Sequence, residues 1–144
     1  MERGINMFRT MLVEDRLTLR EIVKYYLELQ FPSMEITEAS NGIEASQKIG
    51  SQPPHLVFMD ISLPGETGLE LTRKIKKEHP EIIVVIVTGY DLPEYHEEAR
   101  RCKADYFFTK GATTMDMLSD LVKSILLKKK LDADGFEILT REPR

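Results

Sequence analysis

Five side chains in this sequence suit the handling of a metal ion or a phosphoryl group, and each stands where an apolar run gives out. Glu14 and Asp15 follow "FRTMLV", Asp60 follows "HLVFM", Thr88 follows "IIVVIV", and Lys110 closes "YFFTK". Carboxylates gathered without a cation repel and raise one another's pKa, whereas a hard divalent ion turns the cluster into a binding site. Mg2+ suits such a set best, because it takes a few protein oxygens and keeps positions for water and phosphate. Zinc does not, since His55, His79 and His96 show no ligand spacing with one another or with Cys102. A carboxylate beside Mg2+ can attack phosphorus and become an aspartyl phosphate. Lys110 would then meet the phosphoryl oxygens as a charge and Thr88 as a hydrogen-bond donor. Taken singly, each residue has a plain alternative: Asp15 as a helix cap, Asp60 as the start of a turn, Thr88 as an ordinary strand residue, Lys110 as a solvated charge.

The elements that must position these groups alternate along the chain. "FRTMLV" reads as a strand, and "LTLREIVKYYLELQF" follows as a helix with Leu19, Ile22, Val23, Tyr26 and Leu27 at helical spacing. "PSMEITEAS" supplies a turn and a second strand, closed by Asn41 and Gly42 before the helix "IEASQKIGS". "HLVFM" is the third strand, and "LELTRKIKKEH" is an amphipathic helix ended by Pro80. "IIVVIV" is β-branched on both faces, as a central parallel strand covered by helices would be. A helix from about Pro93 to Lys103, the strand "YFFTK" and a helix from about Thr113 to Lys130 complete five strand-helix units. That order predicts an α/β fold, a doubly wound five-stranded parallel sheet. Ligands of such sheets sit beyond the carboxyl ends of the strands, the edge on which all five chemical residues fall.

A chain of 144 residues suits one domain with a sizeable core. No apolar run approaches the about 20 residues of a membrane span, no signal segment opens the chain, and the single cysteine, Cys102, reads as a small buried side chain. The expected setting is cytoplasmic, with no membrane partner. A net charge of -4 argues against direct nucleic-acid binding.

From about Phe8 to Lys130 the chain resembles the receiver domain of bacterial two-component response regulators. The resemblance rests on "VED", "MDISLPGETGLEL", "VTGY" and "YFFTKG" in this order and spacing. It implies a flavodoxin-like fold and a phosphorelay switch in which Asp60 accepts a phosphoryl group from a sensor histidine kinase or phosphotransfer protein. Asp15 and Asp60 would be direct Mg2+ ligands, Glu14 an acidic neighbour acting through water, and the Ser62 backbone carbonyl a third protein ligand. Thr88 and Phe107 would be the switch residues, Phe107 being at the aromatic position three residues before Lys110 and equally readable as core. The response would appear on the face made by the helix after Thr88, the "YFFTK" strand and the final helix, a surface that could also pair two copies as a homodimer. The chain would be a regulatory phospho-acceptor and not an enzyme acting on external substrates.

Some features depart from that pattern. Gly111 stands where many receivers carry proline, which puts the usual cis peptide after Lys110 in question. Residues 1–7 read as an extension, 8–130 as the receiver, and 131–144 as a tail too short to fold separately or the start of a linker; a stand-alone receiver and an excised domain both remain open. Asp132, Asp134 and Gly135 read as a polar turn and not a calcium loop. Two other functions stay in view. A haloacid dehalogenase-type phosphohydrolase normally carries a second aspartate two positions after the first, where this chain has Ser62. A phosphorylation-independent scaffold of receiver fold often loses the acidic or lysine positions, all present here.

Overall fold

The structure, a computed structural model, describes residues 7–133. Five parallel strands form one sheet, β1 (Arg9–Val13), β2 (Glu35–Ala39), β3 (Leu56–Met59), β4 (Ile83–Thr88) and β5 (Tyr106–Thr109), in the order β2-β1-β3-β4-β5. Between them run α1 (Leu17–Gln30), α2 (Gly42–Ser51), α3 (Gly68–Glu78) and α4 (Pro93–Arg101), and α5 (Met115–Ala133) follows. The chain divides into two compact units, one ending at Ala112 and one beginning at Thr113.

Residue type accounts for the sheet. All four residues of β3 are buried, as are most of β4, which is what parallel strands with both faces covered require. The middle strand is β3; β4, although β-branched throughout, lies one place outward. Met11, Val13, Val57, Met59, Val84 and Ile86 make the centre of the core, and Leu71 and Ile75 of α3 close over it. On α5, Leu118, Val122, Ile125 and Leu126 are buried at helical spacing.

Local signals set the helix starts. Asn41 caps α2 by accepting the Glu44 N–H at 2.8 Å. Thr67 and Glu70 form a reciprocal capping box at α3. Arg16 precedes α1 without a side-chain cap, so Asp15 is not spent as one. At the far ends, α4 stops at Arg101, with Lys103 in a left-handed turn at φ 70°, and α5 runs to Ala133, three residues past the expected end. The peptide after Lys110 is trans, as is every described peptide bond. Asp134, Gly135 and the remaining tail lie outside the described residues, as does most of the N-terminal extension. No described helix is long and apolar enough to cross a membrane.

Candidate functional site

The backbone brings the acidic residues together before any side-chain contact is made. Glu14 extends the β1–β2 ladder by donating its N–H to the Ala39 carbonyl at 3.0 Å. Asp60 does the same across β1 and β3, its N–H reaching the Val13 carbonyl at 3.1 Å. Both residues are the first beyond their strands, and because β1 and β3 are neighbours in register, Val13 beside Met59, their side chains meet at one edge.

The turn after Asp60 is built to stay close to it. Gly65 adopts φ 78°, a left-handed conformation that costs glycine nothing. Gly68 then donates its N–H to the Ile61 carbonyl at 2.9 Å and passes so near the Asp60 peptide that a Cβ there would lie 2.0 Å from the Asp60 carbonyl oxygen. The Ser62 N–H points at Asp60 Oδ1 from 3.4 Å, too far for a strong bond.

Three carboxylates converge, Glu14, Asp15 and Asp60, each offering one oxygen within 4.8 Å of the others. Asp60 and Glu14 are buried while Asp15 faces solvent. Lys110 opens a short 3-10 turn (Lys110–Ala112) after β5, and its Nζ bridges Glu14 Oε1 at 2.9 Å and Asp60 Oδ2 at 3.4 Å. Burial pushes the Asp60 carboxyl above its ordinary value, the Glu14 charge adds to this, and Lys110 offsets it in part. Burial acts on Glu14 as well, but the hydrogen bond from Lys110 and the N–H of Arg16 outweigh it and hold that carboxylate below the ordinary range. Two carboxylates and one ammonium thus share a buried corner, where a further cation would relieve the repulsion between the carboxylates.

The donor set fits Mg2+. Ligands 2.0–2.1 Å from one ion lie at most about 4.2 Å apart, and the carboxylate oxygens here lie within 4.8 Å of one another, so slight closing or one carboxylate acting through water would complete such a site.

The remaining candidates fall nearby to different degrees. Thr88 ends β4 and is fully buried, its Oγ1 accepting the Tyr90 N–H at 3.3 Å, which leaves the hydroxyl proton available for donation. Ser62 is exposed beside Asp60. Phe107 is half-buried on β5 and meets the His96 ring of α4 at a tilt of 36°, with ring centroids 4.0 Å apart; His96 in turn meets Asp91 at 2.8 Å. Sequence reading did not find the residues that brace the site. Arg16 contacts Glu14 at 3.3 Å, Arg20 reaches the Glu14 carbonyl at 2.7 Å, and the close approach of Gly68 needs the turn to be seen. The arginines' spacing to the acidic pair carries no local signal.

The sequence profile described as the response regulator receiver domain matches residues 10–123. The sensory transduction protein LytT of Bacillus subtilis is 35% identical over 105 residues, covering 72% of this chain and 42% of that protein. The chemotaxis protein CheY of Halobacterium salinarum is 31% identical over 117 residues, covering 79% of this chain and 96% of that protein. Among solved structures, the CheY-like response regulator receiver domain protein of Methanospirillum hungatei superposes with a TM-score of 0.75 at 28% identity, covering 96% of this chain and all of that one. The chain spans about a quarter to a half of the length of other curated relatives.

Proposed function

Because the chain belongs to the response regulator receiver domain family, we propose that it is a phosphorylation-operated signalling switch with Asp60 as the acceptor. The donor is the phosphohistidine of a sensor kinase or phosphotransfer protein. An Asp60 carboxylate oxygen forms a bond to phosphorus, the phosphorus–nitrogen bond breaks, and the electron pair leaves with the imidazole, which is then protonated. Glu14, Asp15, Asp60 and the Ser62 carbonyl would hold Mg2+, which when bound neutralises charge on the phosphoryl oxygens. Lys110 turns from Asp60 to the new phosphoryl group, and the Thr88 hydroxyl donates to it. The reading is carried above all by one observation: a buried Asp60 whose charge is held unfavourably beside Glu14, with the Lys110 ammonium already in contact.

The response is read on the surface of α4 and β5. When Thr88 moves toward the phosphoryl group, Phe107 leaves the His96 ring and turns into the space behind it. An allosteric coupling of about 1–3 kcal/mol changes partner affinity about 5- to 150-fold. The receiver spans residues 8–130 in this reading, catalyses only its own phosphorylation and dephosphorylation, and signals to partners outside the described chain.

The test is labelling with acetyl phosphate and Mg2+. One stable acyl phosphate per chain, absent in Asp60→Asn, is the expected result. Rapid multiple turnover would replace the switch with a phosphohydrolase, and no reaction would replace it with a phosphorylation-independent scaffold.

A further inference from the structure

Arg20 lies on α1, one turn beyond the acidic pair, with its side chain 14% exposed. Its Nη1 donates to the Glu14 backbone carbonyl at 2.7 Å, and its Nε donates to Glu38 Oε1 at 2.8 Å. Glu38 sits on β2 beside Leu12 of β1, and its other oxygen takes Lys24 Nζ at 2.9 Å. One guanidinium thus ties the ends of two adjacent strands at the point where β1 becomes the acidic loop.

The carbonyl it holds belongs to the peptide plane that joins Glu14 to Asp15, and a planar peptide carries the Asp15 nitrogen and Cα with it. The Glu14 side chain has Lys110 and Arg16 to orient it. Asp15 is exposed, and among the described residues no hydrogen bond or ion pair orients its carboxylate, so the backbone beneath it sets where that carboxylate can be. We propose that Arg20 is a positioning residue for the cation site, holding the Glu14–Asp15 peptide so that both carboxylates face Asp60. The inference rests on Glu14 and Asp15 holding Mg2+ in the proposed function. It asks for arginine in particular, since a planar fork offers two donors in fixed relation, whereas a lysine ammonium is a single flexible point.

The experiment measures Mg2+ binding by calorimetry, amide shifts of the metal-free protein in EDTA, and urea midpoints. Variants are Arg20→Ala, which suits a helix, Arg20→Lys, Glu38→Gln, and Asp15→Ala as the loss of a ligand. Expected for Arg20→Ala is a Mg2+ dissociation constant raised about 10-fold or more, with the Asp15 amide displaced before any metal is added. Arg20→Lys recovers part of the affinity. Glu38→Gln lowers the urea midpoint but keeps wild-type Mg2+ affinity, because the bond to the Glu14 carbonyl survives. Wild-type affinity in Arg20→Ala with the Asp15 amide unmoved overturns the inference, and so does a Glu38→Gln variant that weakens Mg2+ as much as the Arg20 variants. Should Arg20→Ala not fold, the comparison of Arg20→Lys with Glu38→Gln decides by the same criterion. Wild-type protein that binds no Mg2+ would overturn the metal site itself, a different failure from loss of Arg20's role alone.

Discussion

Replacing Gly68 by alanine tests how tightly the start of α3 is seated on Asp60. The added Cβ would lie 2.0 Å from the Asp60 carbonyl oxygen, 2.8 Å from its carbonyl carbon and 2.9 Å from Ile61 Cα. A carbon and a carbonyl oxygen normally approach to about 3.3 Å, so the two backbones must part by more than an ångström. Neither yields readily: the Asp60 N–H is held by Val13 and the Gly68 N–H by Ile61. Overpacking of this kind costs about 1–3 kcal/mol, which exceeds the about 0.4–1 kcal/mol that Gly→Ala gains where it fits. With about 2–4 °C per kcal/mol for a chain near this size, thermal unfolding followed by circular dichroism should fall by several degrees. Gly50, in α2, has nothing within 4 Å of the same added carbon, so Gly50→Ala should raise the midpoint slightly. Displacing Asp60 by an ångström should also slow acetyl phosphate labelling, by up to about 100-fold. Wild-type melting and wild-type labelling in Gly68→Ala would show that the seat is loose and refute the argument.

Two further outcomes follow from the site. Because the folded Asp60 has a raised pKa, the native state binds more protons than the unfolded one between pH 3.8 and that raised value, and stability falls as pH rises through the window. Asp60→Asn should therefore unfold at higher urea than wild type at pH 7 in EDTA, with the difference closing toward pH 3.8; a variant less stable by the same amount at every pH would contradict this. Beryllofluoride with Mg2+ should shift amides of Tyr95, His96 and Phe107 as well as those beside Asp60, and changes confined to the neighbours of Asp60 would sever the site from the α4–β5 surface.

The chemical residues were legible in the sequence because each is a strand-end position, and strand ends are written locally. The apolar run "HLVFM" followed by Asp60 and then Pro64 and Gly65 needs no distant partner to be read, and in an α/β order such ends share one edge. Cys102 was readable as a small buried side chain because no activating motif surrounds it, and it is buried. What brings those ends into contact is the order β2-β1-β3-β4-β5, which places β1 beside β3 and so Glu14 beside Asp60. That order depends on how crossovers pack, and no single segment encodes it. The tertiary structure alone decided that Lys110 leans closer to Glu14 than to Asp60, that His96 covers Phe107, and that Gly68 rests on the Asp60 peptide. Arg20 shows the reason most clearly: it stands in an ordinary helix pattern, its carboxylate partner Glu38 is 18 residues away in the chain, and the two meet only once β1 and β2 are paired.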